Sequence, residues 1–154
     1  MTASSAGPKN ESMALEHTLA IIKPDAMKAR RAGAILARIE QEGFSIKGLK
    51  QLQLTRRQAE GFYDVHRGRP FFEELCQFMS SGPVMVLMLE AEGAIDRWRG
   101  VIGATDPAKA APGTLRALHG ASLGQNAVHG SDGPGTAARE TAYFFAGFEV
   151  DSKA

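Results

Sequence analysis

The sequence has little of what marks several large classes of protein. It holds one cysteine, Cys76, in 154 residues, which excludes an internal disulfide and a thiolate zinc cluster and fits a reducing compartment. No apolar run approaches the roughly 20 residues of a membrane span. The 18 Lys and Arg residues stand against 17 Asp and Glu residues, a net charge of +1, so charge does not point to a nucleic-acid or membrane partner. We therefore expect a cytoplasmic protein that requires neither partner.

Motifs of several common enzyme and binding classes are also missing. The chain has no G-x-x-x-x-G-K-[ST] phosphate loop and no G-x-G-x-x-G motif after a strand. It has no G-x-S-x-G nucleophile elbow and no aromatic signature of an RNA-recognition sheet. The histidines lack the spacing of a metal site. They are His17, His66, His119 and His129.

What is present is the composition of one folded domain. Hydrophobic residues make up 44% and charged residues 23% of the chain, which is ordinary for a globular protein. Residues 1–13 are polar and lack the apolar stretch of a secretory signal. We predict that they form a disordered extension, with Met13 as an alternative start, and that residues 14–154 form a single domain.

Hydrophobic periodicity predicts an uneven alternation of strands and helices. The predicted strands are 17–22, 44–54, 84–89 and 126–129, and the predicted helices are 32–39, a short one from residue 55, 70–79, one around 95–98, and 137–145. Thr55 and Gln58 form a capping box, and Pro70 is expected at the first position of its helix. Residues 103–125 show no sustained period, which predicts a long irregular loop of functional importance.

This order contains a βαββαβ core. The predicted fold class is therefore α+β, a ferredoxin-like split βαβ arrangement in which a four-stranded antiparallel sheet carries helices on one face. The long loop precedes the last strand.

One segment, residues 126–133 (NAVHGSDG), places a histidine among small and polar residues directly after the loop. A histidine with the ordinary pKa near 6.5 is mostly neutral at pH 7–8, and a neutral imidazole can attack phosphorus to form a covalent intermediate. Gly130 leaves room for close approach, and Ser131 and Asp132 can hold the turn by hydrogen bonds. The alternative from this segment alone is a solvated loop histidine.

Three basic residues form a second candidate group. Lys23, Arg99 and Arg116 each lie beside a predicted structural break or in the loop. Three cations that converge would suit a di- or triphosphate, and the Thr105 hydroxyl would add a donor. The alternative is a set of ordinary surface charges, because sequence alone does not show convergence.

Aromatic and acidic residues complete the candidates. Tyr63 and Phe71 flank the break at residues 69–70, where an exposed ring can stack on a base; core packing is the alternative. Glu140 follows His129 by eleven residues and could orient its imidazole by accepting a ring N–H. The alternative is a solvated helix charge.

Together these residues carry a resemblance to a known family. The matching segments are TLAIIKPDA at 18–26, RPFF at 69–72, SGPV at 81–84, GATDP at 103–107, PGTLR at 112–116 and NAVHGSD at 126–132. The chain resembles the nucleoside diphosphate kinase family from about residue 15 to residue 145. The combination of K-P-D with N-x-x-H-G-S-D is specific, whereas either motif alone is not.

The resemblance implies transfer of the γ-phosphoryl group of a nucleoside triphosphate, typically ATP, to a nucleoside diphosphate by a ping-pong route. His129 matches the nucleophile, phosphorylated at its pros nitrogen, and Ser131 and Glu140 match the residues that support it. The remaining matches contact the nucleotide. The ribose and 3′-hydroxyl contacts are matched by Asn126 and by Lys23, which also counts among the catalytic residues. The phosphate contacts are matched by Tyr63, Arg99, Thr105 and Arg116. The aromatic ring that stacks on the base is matched by Phe71.

The resemblance also implies that Mg²⁺ is held through the nucleotide phosphates with no metal ligand from the protein, that bases are poorly distinguished, and that the chain assembles as a homotetramer or homohexamer. Two departures stand out. Gly133 replaces a family serine, which predicts a late start or a lost cap for the last helix, and Leu118-His119 replaces an Asp-aromatic pair in the loop. Two competing functions remain: a nucleotide-binding protein with weak turnover, and a phosphohistidine carrier on the same fold.

Overall fold

The structure, a computed structural model, describes residues 14–150; the predicted extension at residues 1–13 lies outside the described residues. Four antiparallel strands form one sheet in the order β2-β3-β1-β4, which confirms the predicted fold class. The strands are β1 Leu15–Ile22, β2 Ser45–Leu52, β3 Val84–Glu92 and β4 Val128–Gly130. The α-helices are α1 Pro24–Lys28, α2 Ala32–Gln41, α3 Arg56–Phe62, α4 Phe72–Met79, α5 Ala94–Ile102, α6 Leu115–His119 and α7 Pro134–Phe144.

Helices cover both faces of the sheet, so the prediction of a single covered face was wrong. The reason lies in β1, where consecutive residues 18–22 are all buried although successive side chains point to opposite faces. Ala20 and Ile22 pack in a core with α2 and α5. Leu19 and Ile21 pack in a second core with α3 and α4. The sheet is therefore the middle layer of the described residues.

Several helix boundaries differ from the predicted ones. Helix α1 begins at Pro24, directly after β1; five residues are too few to show a helical period. Helix α4 begins at Phe72 and not at Pro70. Helix α7 begins at Pro134, earlier than predicted, and no side chain of residue 133 caps it. Instead, the Thr136 hydroxyl accepts the Gly133 N–H at 2.9 Å, which explains why the helix does not start late.

The segment before β4 is more ordered than predicted. It contains a 3₁₀ turn at Pro107–Lys109 and helix α6, whose first turn is capped by the Thr114 hydroxyl. Arg38 on α2 donates to the carbonyl of Gly113 at 2.9 Å and ties the segment to the domain. Both helical turns are too short for periodicity to reveal them. Among residues 14–150, no helix has the length and apolar character needed to span a membrane.

Candidate active site

His129 lies on β4, an edge strand of three residues. It pairs with Ile21 of β1, and its carbonyl accepts a hydrogen bond from the indole Nε1 of buried Trp98 at 3.1 Å. Gly130 lies so close to this indole that an added Cβ would be 2.8 Å from Trp98 Cδ1. The glycine is therefore required where β4 crosses Trp98, and the backbone of His129 is fixed from two sides.

The imidazole of His129 is held by a carboxylate. Its Nε2 lies 2.9 Å from Glu140 Oε1, and the same oxygen accepts the Ser131 hydroxyl at 2.8 Å. Ser131 in turn accepts the Leu19 N–H at 3.1 Å. Because an ionised carboxylate only accepts hydrogen bonds, Nε2 carries the ring hydrogen and Nδ1 keeps its lone pair. The side chains of His129 and Glu140 are 18% and 13% exposed, so this pair is shielded while the ring stays accessible.

Five rings form a continuous series that leads away from this histidine. They are His129, Phe62, Tyr63, His66 and Phe71, with successive centroid separations of 5.6, 4.8, 6.2 and 5.3 Å. The series begins at the partly exposed ring of His129, passes through buried Phe62 and Tyr63, and ends at Phe71, which is 46% exposed. The exposed ring is therefore linked to the histidine through packed aromatic side chains.

Lys23 and Arg116 are cations in unusually dry surroundings. Each is only 8% exposed. Burial, and next the charge of Arg116, lowers the pKa of Lys23 to about 8. Burial, and next the charge of Arg99, lowers the pKa of Arg116 to about 10. The charge of Arg116 acts on Lys23, and the charge of Arg99 acts on Arg116. The structure therefore brings the three predicted basic residues together.

Arg116 and Arg99 form hydrogen bonds with residues on either side of His129 in the sequence. Arg116 donates to the carbonyls of Gly103 at 3.0 Å and Val128 at 2.8 Å. Arg99 pairs with Asp132 at 2.6 Å, and the two side chains are 49% and 81% exposed. An exposed ion pair of this kind is weak, so the Arg99 guanidinium is available to a more highly charged anion.

Asn126 connects Lys23 to the loop. Its Oδ1 accepts from Lys23 Nζ at 2.8 Å, and its Nδ2 donates to the carbonyl of Thr105 at 3.0 Å. The hydroxyl of buried Tyr63 has no hydrogen-bond partner within residues 14–150. Burial, and next the nearby charge of Glu140, raises the pKa of this hydroxyl. Tyr63 is thus a neutral donor beside the histidine pair.

A tight turn leads into β4. The Val128 N–H bonds the carbonyl of Asn126 at 2.9 Å, and the intervening Ala127 has a φ of 74°. This is a γ-turn with positive φ, a rare and strained conformation for a residue with a side chain. Asp25 accepts the Ala127 N–H at 3.1 Å, and the Lys23 N–H bonds the Ala127 carbonyl at 2.8 Å. Lys23, which directly follows β1, and Asp25, in the first turn of α1, therefore hold this strained turn in place.

Sequence reasoning missed several residues of this site. Phe62 packs edge-on against the imidazole, Trp98 binds its carbonyl, and Asp25 holds the turn. From the sequence, Trp98 is placed only in a short predicted helix and Asp25 only in a segment that matches the family. No local pattern reveals the positive φ of Ala127, because alanine has no preference for it.

Comparison with known proteins agrees with the resemblance. The sequence profile of the nucleoside diphosphate kinase family matches residues 16–150. The chain is 66% identical over 138 residues to the nucleoside diphosphate kinase of Sorangium cellulosum, covering 90% of this chain and 96% of the relative. It is 62% identical over 136 residues to that of Syntrophotalea carbinolica, covering 88% and 99%.

Solved structures are similar as well. The nucleoside diphosphate kinase of Aquifex aeolicus superposes with a TM-score of 0.87 at 51% identity, covering 89% of this chain and 99% of that one. The nucleoside diphosphate kinase of Halobacterium salinarum, solved in complex with CDP, superposes with a TM-score of 0.87 at 36% identity, covering 92% and 94%. The chain therefore belongs to the nucleoside diphosphate kinase family of phosphotransferases.

Proposed function

We propose that the chain transfers the γ-phosphoryl group of a nucleoside triphosphate, typically ATP, to a nucleoside diphosphate through a phosphohistidine at Nδ1, the pros nitrogen, of His129. The observation that carries this proposal is the contact between Glu140 and His129 Nε2 at 2.9 Å. It fixes the tautomer in which Nδ1 has a free lone pair. A neutral nucleophile of this kind needs no base to activate it.

The proposed reaction has two halves. The Nδ1 lone pair attacks the γ-phosphorus, the bond from that phosphorus to the β–γ bridging oxygen breaks, and a nucleoside diphosphate leaves with the bond electrons. A terminal oxygen of the acceptor diphosphate then attacks the phosphohistidine, and the P–N bond electrons return to His129. Glu140 stabilises the positive charge that the ring carries while phosphorylated. Ser131 holds Glu140 in place.

Phosphoryl transfer passes through a loose transition state, so the protein mainly positions groups and offsets charge. In the proposal, Arg99 and Arg116 bind the phosphate oxygens, assisted by the hydroxyls of Tyr63 and Thr105. Because Arg99 is exposed and pairs with the exposed carboxylate of Asp132, it exchanges that carboxylate for phosphate. Arg116 is buried and already oriented by two carbonyls.

The remaining contacts concern the nucleoside. Lys23 and Asn126, joined by a hydrogen bond of 2.8 Å, bind the ribose and its 3′-hydroxyl in the proposal. Phe71 is the exposed ring that stacks on the base. Stacking is tolerant of base identity because every base has a π-face, so weak discrimination among bases is expected.

We propose that Mg²⁺ arrives with the nucleotide. Cations surround the site, and two of its carboxylates are already engaged, Glu140 with His129 and Asp132 with Arg99. Within residues 14–150, no three side chains of His, Cys, Asp or Glu are grouped to hold a metal ion. These residues fit a metal ligated by phosphate oxygens. When bound, Mg²⁺ neutralises phosphate charge.

We further propose a cytoplasmic homotetramer or homohexamer. Buried Cys76 is a free thiol, in keeping with a reducing compartment. Leu49 and Leu118 are 44% and 58% exposed, and exposed apolar side chains are candidates for contacts between copies. Light scattering or native mass measurement distinguishes four subunits from six.

Labelling with ATP that is radioactive at its γ-phosphate tests the proposed function. We expect a label on the protein that is acid-labile and alkali-stable and that any nucleoside diphosphate removes. The His129→Ala variant should bind nucleotide but take no label. His17→Ala is the matched control, because His17 lies at the start of β1 in a pair with Glu90. Labelling of His129→Ala would refute the assigned nucleophile.

The same assay separates the competing functions. A label that forms but is removed by no nucleoside diphosphate would identify a phosphohistidine carrier. Nucleotide binding with no label in the unaltered protein would identify a binding protein without turnover. Membership of a family of phosphotransferases favours the catalytic function over both.

A further inference from the structure

Helix α7 holds the end of helix α3 through one arginine. Arg139 donates from its two terminal nitrogens to the carbonyls of Phe62 at 3.1 Å and Gly61 at 2.8 Å. Helix α3 ends at Phe62, so these carbonyls have no helical N–H partner. The last turn of α3 has no basic residue of its own, and a cation is favourable at the negative end of a helix. The two terminal nitrogens of Arg139, its guanidinium fork, therefore cap the C-terminal end of α3.

Helix α3 begins an arm that carries nucleotide contacts. The arm comprises residues 56–79, that is α3, a 3₁₀ turn at Asp64–His66, and α4. Tyr63 and Phe71 both lie on it. Phe62, whose carbonyl is held by Arg139, is also the ring that touches His129 edge-on with a centroid separation of 5.6 Å. The arm is thus attached to α7 at the point where it touches the histidine.

The residue after Arg139 is Glu140, which holds the imidazole of His129. Two adjacent residues of α7 therefore fix the two halves of the proposed site, one the phosphate-carrying histidine and the other the arm that holds the nucleotide. A second α7 side chain joins the same contact, since the Tyr143 hydroxyl donates to the carbonyl of Gln58 at 2.8 Å. Gln58 lies inside α3, so its carbonyl also has a helical partner.

Resting on the proposed function, we infer that Arg139 is a positioning residue for nucleotide binding. Its fork keeps the arm at the distance from His129 that the nucleotide spans. Without the fork, the arm samples other positions, and a nucleotide must select the competent one. Apparent affinity falls by the fraction of time spent in that position, whereas the chemical step on bound nucleotide is unchanged because Glu140 and His129 are untouched.

The test compares Arg139→Lys with Tyr143→Phe. Arg139→Lys keeps the positive charge but replaces a planar fork with a point charge, which does not reach two carbonyls in the same geometry. Loss of one hydrogen bond predicts about a fivefold rise in KM for donor and acceptor nucleotides alike, with kcat at saturation within about twofold of the unaltered enzyme. Tyr143→Phe removes a donor from the same junction but leaves Arg139 in place, and should leave KM and kcat unchanged.

Binding of a nucleoside diphosphate to unphosphorylated protein is measured alongside, by calorimetry, because it needs no turnover. The same weakening in Kd and KM supports the inference, and thermal unfolding of each variant shows that the comparison is between folded proteins. A fall in kcat with unchanged KM would overturn the inference, as would Kd and KM values equal to those of the unaltered chain. Absence of a label on unaltered protein refutes the proposed function separately, while the Kd comparison still decides the role of Arg139.

Discussion

The buried ammonium of Lys23 lowers the stability of the folded chain at neutral pH. Lys23 is 8% exposed, and its pKa falls from an ordinary value near 10.5 to about 8, chiefly through burial. Each tenfold change in proton affinity is worth about 1.4 kcal/mol, so the difference between the two pKa values corresponds to about 3 kcal/mol of stability. At a pH between these two pKa values, the unfolded chain keeps a proton that the folded chain has released. Stability therefore rises with pH through this window.

The perturbation is Lys23→Met, which removes the titrating group and keeps a chain of similar length. The free energy of unfolding of each protein is measured by urea titration at one protein concentration between pH 7 and 9.5. Other titrating groups largely cancel in the difference between the two proteins. Between pH 7 and 9.5, the free energy of unfolding of the unaltered chain should rise by about 2 kcal/mol relative to that of the variant. A difference that is flat or falls over this range would refute the reasoning.

The same group links nucleotide binding to protons. If Lys23 faces the nucleotide as proposed, the negative phosphates favour its charged form and raise its pKa. Binding of a nucleoside diphosphate at pH 8.5 should then take up protons, and binding to Lys23→Met should take up fewer. Calorimetry in two buffers of different ionisation enthalpy measures the uptake. Equal uptake by both proteins would place the lysine away from the phosphates.

Three further predictions follow from single contacts. Glu140→Gln keeps a hydrogen-bond acceptor for His129 but removes the negative charge of residue 140, so the rate of phosphohistidine formation should fall about 10- to 100-fold with KM unchanged. Rapid-quench labelling measures this rate, and an unchanged rate would contradict the role of the carboxylate. Thr18 is fully buried with a hydroxyl that has no partner in the part of the chain that the structure describes. Thr18→Val should raise the free energy of unfolding, measured by urea titration, by about 1 kcal/mol. A fall in this free energy would show that the hydroxyl has a hydrogen-bond partner. A Cβ on Gly61 would collide with the Tyr143 hydroxyl, the end of an exposed side chain that can turn away. Gly61→Ala should therefore lower the free energy of unfolding by about 1 kcal/mol or less, the contribution of the lost hydrogen bond of that hydroxyl. In the Tyr143→Phe background the hydroxyl is gone, and the same change should be neutral or stabilising because alanine favours helix by about 1 kcal/mol over glycine; equal effects in both backgrounds would rule out the collision.

Local patterns predicted the elements that are long or chemically marked. The apolar run of β3 and the capping box of Thr55 and Gln58 were both confirmed, because each depends on residues close in sequence. Helices α1 and α6 were not predicted, since five residues do not complete two helical turns. The covering of both sheet faces depends on which helices meet which strand, and that is a property of the whole chain.

The candidate site likewise has features that local sequence predicts and features that depend on how the chain packs. The motif around His129 indicates a nucleophile, and Glu140, expected to orient its imidazole, lies 2.9 Å from its Nε2. The convergence of Lys23, Arg99 and Arg116 could not be derived from their spacing, because it depends on how β1, α5 and α6 pack. The strained turn at Ala127 had no signal at all, since its conformation is imposed by bonds from Lys23 and Asp25.

The indole bound to the carbonyl of His129 also gives the molecule an optical reporter. Trp98 is the single tryptophan of the chain, and its N–H bonds the backbone of the residue that is proposed to carry phosphate. Indole emission responds to the polarity and hydrogen bonding of its surroundings. Emission from selectively excited Trp98 therefore reports from directly beside the strand of His129, and we expect it to change when a phosphoryl group arrives at or leaves that histidine, without an added dye.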